Sequence, residues 1–116
     1  MQKRVSHYNL DSIKELISAD QYFITQSARQ GYFALGFDDD KVIEIIMNLI
    51  KRDLYKSMTT YHDNKIWQDV YHKNIDNIDL YIKLQITDKA IVISFKERTW
   101  QAVQFVMVKL SIRPNQ

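Results

Sequence analysis

The amino-acid sequence predicts an α+β protein in which N-terminal helices pack on a C-terminal antiparallel sheet. Apolar residues recur at helical spacing in the first 50 residues and alternate with polar residues in much of the remainder. A run of helices followed by a run of strands is typical of α+β proteins. The chain of 116 residues is long enough for one domain with a modest core.

Two short helices are expected in the first third of the chain. The first spans Leu10–Asp20, where isoleucine and leucine side chains share one face at helical spacing. Tyr22–Ile24 follows as a short apolar run, either a strand or a hydrophobic staple. Thr25 is a suitable N-cap for the second helix and Gly36 a suitable stop, although Gly31 inside the segment weakens the pattern.

The third helix has the clearest signals. Three carboxylates, Asp38, Asp39 and Asp40, precede it, and carboxylates stabilise the free amides at a helix N-terminus. A wide apolar face follows, and the helix is expected to end at Lys51 and Arg52. The apolar residues on that face are Val42, Ile43, Ile46, Leu49 and Ile50.

Three strands are predicted after these helices. The segments Ile66–Lys73, Ile78–Thr87 and Ala90–Glu97 alternate apolar and polar side chains. The short polar connections NIDN and DK between them predict an antiparallel meander.

The last two strands predict a specific register. If Asp88–Lys89 is a two-residue turn, Tyr81 faces Lys96 and Lys83 faces Ser94 on the polar side. Directly opposed side chains have Cβ atoms roughly 5 Å apart. The apolar pairs in the same register are Ile86 with Ile91, Leu84 with Ile93, and Ile82 with Phe95.

The preceding strand can be added to this register. If Asn74–Asn77 is a four-residue loop, Val70 faces Tyr81, and Gln68 faces Lys83, one diagonal step from Tyr81. The polar side of the predicted sheet then gathers Gln68, Tyr81, Lys83, Ser94 and Lys96, with Arg98 just beyond.

This polar cluster contains cations, a phenol and an amide but no pair of carboxylates. It therefore lacks the acids of a two-metal nuclease or a glycosidase. It suits a phosphodiester, because lysines stabilise charge on a phosphorane and a phenol or amine transfers protons. The alternative is an ordinary solvated sheet face, which the pattern alone favours because such faces are common in antiparallel sheets.

The segment YKSMTTYHDNKIWQDVY, followed by LYIKLQIT and VISFKE, closely resembles the MqsR (motility quorum-sensing regulator) toxin family. The opening KR followed by His7 also fits this family, and the resemblance spans about residues 1–98. It implies a RelE-like toxin fold and a type II toxin–antitoxin system. The implied activity is endoribonucleolytic cleavage of single-stranded mRNA at GC-containing triplets such as GCU. The implied partner is an MqsA-like antitoxin with a zinc-binding domain and a helix-turn-helix domain.

The resemblance places the catalytic positions of the family on Lys56, Gln68, Tyr81 and Lys96. Lys56 precedes the predicted sheet, so only the resemblance assigns it to the site. The residues expected to bind RNA are Tyr55, Thr59, Tyr61, Lys83 and Arg98.

The chemistry implied by the family is metal-independent cleavage, in which a ribose 2′-hydroxyl attacks the adjacent phosphate. Lys56 and Lys96 are assigned to phosphate binding and charge stabilisation. Tyr81 is the candidate for proton transfer, tuned by Lys96, and Gln68 is expected to orient the phosphate or a base. The sequence leaves open which group is the general base. The alternative function is a non-catalytic toxin-like module that binds an antitoxin or RNA.

Other residues favour no second site. The three histidines, His7, His62 and His72, are interpreted as solvated surface residues, although His72 shares the side of Gln68. No metal or cofactor is expected, because the chain has no cysteine and no histidine-rich spacing.

The rest of the chain bounds location and partners. Residues 51–116 carry 11 basic and 7 acidic side chains, a balance of +4 that favours an anionic partner. No run approaches the roughly 18 apolar residues of a spanning helix, and no secretory signal is evident, so a cytoplasmic location without a membrane partner is expected. Residues 99–116 are a C-terminal extension in which alternation predicts a further strand.

Overall fold

Three α-helices and six β-strands make up residues 1–98, the part of the chain that this computed structural model describes. The α+β class is confirmed. The strand expected within residues 99–116 lies outside the described residues. In chain order the elements are β1 (Gln2–Lys3), α1 (Leu10–Ser18), β2 (Tyr22–Ile24), α2 (Gln26–Phe33), α3 (Asp39–Met47), a 3₁₀ turn (Lys51–Asp53), β3 (Leu54–Thr59), β4 (Trp67–Ile75), β5 (Ile78–Ile86) and β6 (Ala90–Glu97).

The starts of α2 and α3 are capped as the sequence predicts, whereas α1 is capped by Asn9. Thr25 accepts a hydrogen bond from the backbone N–H of Ala28, and Asp38 accepts one from Lys41. Each bond satisfies one of the free amides of a helix N-terminus. The end of α3 was predicted too late, because the helix stops at Met47 and the next basic residues form the 3₁₀ turn.

The sheet is mixed, with strand order β1-β3-β4-β5-β6-β2. The expectation of a wholly antiparallel sheet is therefore wrong. Tyr22–Ile24 is a strand, and it runs parallel to β6 along the outer edge of that strand. Lys56, expected before the sheet, lies within β3, which pairs antiparallel with β4.

The β5–β6 register is confirmed at its open end. Tyr81 lies opposite Lys96, and Lys83 lies opposite Ser94. A bulge after Lys83 then shifts the pairing by one residue.

Because of this bulge, the pairs predicted nearer the turn are wrong. Leu84 pairs with Val92 rather than Ile93, and Ile86 pairs with Ala90 rather than Ile91. The connection is correspondingly one residue longer than the two-residue turn expected from Asp-Lys.

The β4–β5 register differs from the prediction by two residues. Ile75 pairs with Ile78, so the turn is the dipeptide Asp76–Asn77 rather than a four-residue loop. Both turn residues have positive φ, 51° and 68°, as a type I′ hairpin turn requires. His72 rather than Val70 therefore faces Tyr81. A slip of two residues keeps every side chain on its predicted side.

One apolar cluster contains buried residues of all three helices and of β4, β5 and β6. Glycine at position 31 allows α2 to approach β6, because a side-chain carbon there would collide with the carbonyl oxygen of Phe95. None of the helices in residues 1–98 has the length and apolar character needed to cross a bilayer. The largest fully buried core residues are Tyr32, Tyr71, Phe95, Ile13, Ile46, Leu49, Leu80, Ile82 and Leu84.

Candidate active site

The side of the sheet opposite the core carries a cluster that we call the basic face. Strand alternation sends Tyr81, Lys83 and Lys96 to this side, while their neighbours Leu80, Ile82 and Phe95 enter the core. The basic face comprises Tyr55, Lys56, His72, Tyr81, Lys83 and Lys96.

Two ammonium groups lie close to the Tyr81 ring. The Lys96 nitrogen is 5.3 Å from the centre of the Tyr81 ring, and the Lys83 nitrogen is 5.8 Å from it. Cations at these distances are attracted to the electron-rich face of an aromatic ring. The cross-strand pair of Tyr81 and Lys96, with Lys83 two residues beyond Tyr81 on β5, therefore holds a phenol and two positive charges together.

Burial sets the protonation of the Tyr81 hydroxyl. It raises the pKa of Tyr81 above the ordinary value of 10.0, and repulsion from Tyr55 raises it further. Lys96 was expected to tune the pKa of Tyr81, but the rise in that pKa comes from burial and from Tyr55. Tyr81 therefore keeps its proton at neutral pH and is suited to donate it.

The pKa of Lys83 is lowered by its surroundings, which include two other lysines of the basic face. Burial lowers the pKa of Lys83 from its ordinary value, and repulsion from Lys96 and Lys56 lowers it further. A negative charge bound near Lys83 would reduce the repulsion among the three lysines, so an anion such as a phosphate suits the basic face.

A bulge in β3 adds two side chains to the same surface. Leu54 pairs with Tyr71 and Lys56 pairs with Val70, so Tyr55 is the extra residue between them. The Lys56 nitrogen lies 5.4 Å from the centre of the Tyr55 ring. It also donates a hydrogen bond to the side-chain oxygen of Gln2, at 3.2 Å.

His72 is held between two tyrosines. Its ring stacks on Tyr55, with centroids 4.2 Å apart and planes at 17°, and its centroid lies 6.1 Å from that of Tyr81. Burial lowers the pKa of His72, and the positive charges of Arg98 and Lys56 lower it further. The sequence placed His72 on this side of the sheet but not in the cluster. The predicted register had put Val70 opposite Tyr81, where the structure has His72.

Gln68 lies on the same side of the sheet but farther along it. His72 is opposite Tyr81, and Gln68 is four residues before His72, roughly 13 Å at the usual rise per strand residue. Its amide nitrogen donates to the side-chain oxygen of Gln85, at 2.9 Å. The expected diagonal contact with Tyr81 is therefore absent.

The remaining predicted RNA-binding residues are dispersed. Thr59 is only 7% exposed, and the N-terminal ammonium group donates to its hydroxyl at 3.1 Å. Tyr61 is 97% exposed in the β3–β4 connection. Arg98 follows β6, and its backbone N–H donates to the carbonyl oxygen of Asp79 at 2.7 Å.

A small pocket adjoins the basic face. Its volume is about 150 Å³, and it lies between the N-terminal segment and the start of β3. Three of its five lining residues are basic, so it offers a second place for an anionic group. The lining residues are Gln2, Lys3, Arg4, Tyr55 and Lys56.

The acidic residue of the IWQDVY segment has a structural role. The Asp69 side chain is fully buried, and its two oxygens accept hydrogen bonds from the backbone N–H groups of His7 and Tyr8, at 3.0 and 2.9 Å. Trp67 in the same segment stacks on His7, with centroids 5.2 Å apart. These contacts tie the N-terminal segment to β4.

Metal-binding side chains do not cluster in the described part of the chain. Within residues 1–98, no three histidine, aspartate or glutamate side chains come close enough to hold a metal ion.

Comparison with known proteins identifies one family. Residues 5–97 match the family described as "Motility quorum-sensing regulator, toxin of MqsA". The chain is also similar to the "mRNA interferase toxin MqsR" of Escherichia coli (strain K12), with 40% identity over 98 residues. That alignment covers 84% of this chain and 100% of the other protein. Both matches include the strands that form the basic face.

Proposed function

Because this chain belongs to the MqsR family of motility quorum-sensing regulator toxins, we propose that it is the toxin of a type II toxin–antitoxin system and cleaves messenger RNA. The relative named as an mRNA interferase supports this activity. The observation that carries it is the basic face, where Lys56, Lys83 and Lys96 share one side of the sheet with Tyr81. The proposal includes a RelE-like toxin fold, a toxin domain at residues 1–98 and a C-terminal extension at residues 99–116.

The proposed reaction is metal-independent transesterification. The ribose 2′-oxygen attacks the adjacent phosphorus, the bond from phosphorus to the 5′-oxygen of the next nucleotide breaks, and a 2′,3′-cyclic phosphate forms. Lys56 and Lys96 stabilise the negative charge that develops on the phosphorane oxygens. Tyr81, which retains its proton at neutral pH, donates that proton to the departing 5′-oxygen.

The proposed RNA path extends along the sheet beyond the reacting phosphate. Gln68, some distance from Tyr81, orients a base or phosphate of a neighbouring nucleotide rather than the scissile one. Tyr55 and the exposed Tyr61 stack on unpaired bases, and Lys83 and Arg98 bind phosphates. Thr59 is left out of this path, because its side chain is buried beside the N-terminus.

The partners follow from the family. We propose that the chain is held inactive by an MqsA-like antitoxin, with a zinc-binding domain and a helix-turn-helix domain, in the cytoplasm. The proposed substrates are single-stranded messenger RNA segments with GC-containing triplets such as GCU.

The first test is direct cleavage. The purified protein is incubated with a labelled transcript that contains one GCU triplet and with a matched transcript in which that triplet is replaced. Fragments ending in a 2′,3′-cyclic phosphate, produced at GCU only, are the expected result. Binding of both transcripts without fragments would instead identify a non-catalytic binding module.

A second test addresses metal independence. Because the proposed groups are lysines and a tyrosine, the rate in EDTA is expected to equal the rate in buffer alone. Loss of cleavage in EDTA that is restored by added Mg²⁺ would exclude this mechanism, while leaving the ribonuclease activity itself intact.

A further inference from the structure

The proposed reaction requires a proton acceptor for the 2′-hydroxyl, and the four residues assigned from the family do not provide an evident one. Lys56 and Lys96 are assigned to charge stabilisation as ammonium groups, and an ammonium group has no lone pair with which to accept a proton. Tyr81 has a raised pKa and also keeps its proton. An amide such as Gln68 does not act as a base in water. A further group on the basic face must fill this role.

His72 occupies the position that such a group needs. It lies directly opposite Tyr81 across β4 and β5, and its ring stacks at 4.2 Å on Tyr55, which fixes its plane. The ring centroids of His72 and Tyr81 are 6.1 Å apart. His72, Tyr81 and Lys96 lie side by side on the successive strands β4, β5 and β6. A phosphate bound beside Lys96 and Tyr81 would therefore have the Lys96 ammonium group on one side of the phenol and the His72 imidazole on the other.

We propose that His72 is the general base, which accepts the proton of the attacking 2′-hydroxyl; this inference rests on the proposed RNA cleavage. As the 2′-oxygen bonds to phosphorus, its proton passes to the unprotonated imidazole nitrogen of His72. As the bond to the 5′-oxygen breaks, that oxygen takes the proton of Tyr81. The resulting imidazolium and phenolate return to neutral imidazole and phenol by proton exchange through solvent, so the site is restored.

The surroundings of His72 favour the neutral imidazole that a base requires. Burial lowers its pKa from the ordinary 6.5, repulsion from Arg98 and Lys56 lowers it further, and attraction to Asp79 opposes them. The titratable and charged groups that face it are Tyr55 and Lys56 from β3, Asp79 and Tyr81 from β5, and Arg98 after β6. Since the lowering effects prevail, His72 is ready to accept a proton at neutral pH.

The first experiment measures single-turnover cleavage of the transcript from about pH 5 to about pH 9, the range in which an imidazole titrates. The parent rate is expected to rise with pH through a midpoint below 6.5. His72→Gln and His72→Phe, the second of which keeps a stacking ring, should lose this rise and cleave roughly 10²-fold or more slowly near neutral pH. His62→Gln, an exposed histidine in the β3–β4 connection, is the matched control and should retain the parent profile.

A second substrate separates base from acid. Replacing the 5′-bridging oxygen by sulfur gives a leaving group that departs without protonation. Tyr81→Phe should regain most of its rate on this substrate, whereas His72→Gln should stay slow, because removal of the 2′-proton is still required.

The outcomes separate this inference from the proposed function. If the parent does not cleave RNA, the proposed function itself fails. If the parent cleaves and Tyr81→Phe is slow, but both His72 variants keep the parent rate or the acid-side pH dependence, the general-base role is wrong and the ribonuclease function stands. Disappearance of the pH dependence in Lys83→Gln alone would transfer the role to Lys83.

Discussion

Lys96 lies directly opposite Tyr81 on neighbouring antiparallel strands, and its ammonium nitrogen is 5.3 Å from the centre of the phenol ring. The pair stands on the solvent side of the sheet, while the adjacent Phe95 and Ile82 are fully buried in the core. Packing of the core side therefore fixes the positions of the reactive side. A substitution that removes only the ammonium or only the hydroxyl should affect chemistry more than folding.

Replacement of Lys96 by methionine is expected to reduce single-turnover cleavage by roughly 10²–10³-fold, the usual effect of losing one preorganised charge donor. Methionine keeps the unbranched shape of the side chain and lacks only its terminal ammonium group, so the free energy of unfolding should change by less than about 0.5 kcal/mol. Lys89→Met, at an exposed lysine in the β5–β6 connection, is the control and should retain the parent rate. Equal rates for Lys96→Met and the parent would remove Lys96 from the mechanism.

Deprotonation of Tyr81 is expected to lower the cleavage rate only in the alkaline part of the pH–rate profile. A proton donor is active in its protonated form, and the raised pKa of Tyr81 lies above 10.0. The rate should therefore stay level from about pH 7.5 to about pH 9.5 and fall only at higher pH. Tyr81→Phe should cleave roughly 10²-fold or more slowly at every pH in that range. A parent rate that already declines near pH 8 would point to a different proton donor.

Removal of the Asp69 carboxylate is expected to lower the stability of the fold, because Asp69 has a structural role rather than a catalytic one. In Asp69→Ala the backbone N–H groups of His7 and Tyr8 lose their acceptors, which should lower the free energy of unfolding by about 3 kcal/mol. Urea denaturation measures this change as a lower midpoint. Asp88→Ala, at an exposed aspartate in a turn, is the control. Identical midpoints for the two variants would show that these two hydrogen bonds contribute nothing.

A methyl group at position 31 is expected to disturb both stability and activity. Alanine has the better helix propensity by roughly 1 kcal/mol, but its side chain would collide with the carbonyl oxygen of Phe95, and such overpacking costs about 1–3 kcal/mol or more. The displaced residue adjoins Lys96, so cleavage should weaken as well. Gln30→Ala, at the exposed neighbouring position of α2, should change neither the thermal midpoint nor the rate. A thermal midpoint for Gly31→Ala above that of the parent would contradict the close packing of α2 on β6.

Local patterns were sufficient to predict the caps of α2 and α3 and the side of the sheet on which the residues of β4 and β5 lie, but the bulge in the β5–β6 pairing places Val92 in the core where Ile91 and Ile93 were expected. Thr25 and Asp38 act through bonds three residues away, and strand alternation is a local property of the backbone. The pairing of Tyr81 with Lys96 was also predicted, together with that of Ile82 with Phe95 on the core side, although the two apolar pairs nearer the turn were wrong.

Features that depend on distant contacts were missed. The bulge at Tyr55, the Asp-Asn turn and the parallel strand Tyr22–Ile24 each depend on which backbone lies alongside, which no local pattern records. These features decide that His72 stacks on Tyr55 and faces Tyr81.

By itself, the sequence determined the α+β class, the family resemblance and the side on which Tyr81, Lys83 and Lys96 project, because periodicity and motif spacing are local properties of the chain. Only the tertiary structure decided how far Gln68 lies from Tyr81, why Gly31 is required, and which histidine joins the basic face. Those distances follow from strand register and helix packing, which are set by contacts between segments far apart in the chain.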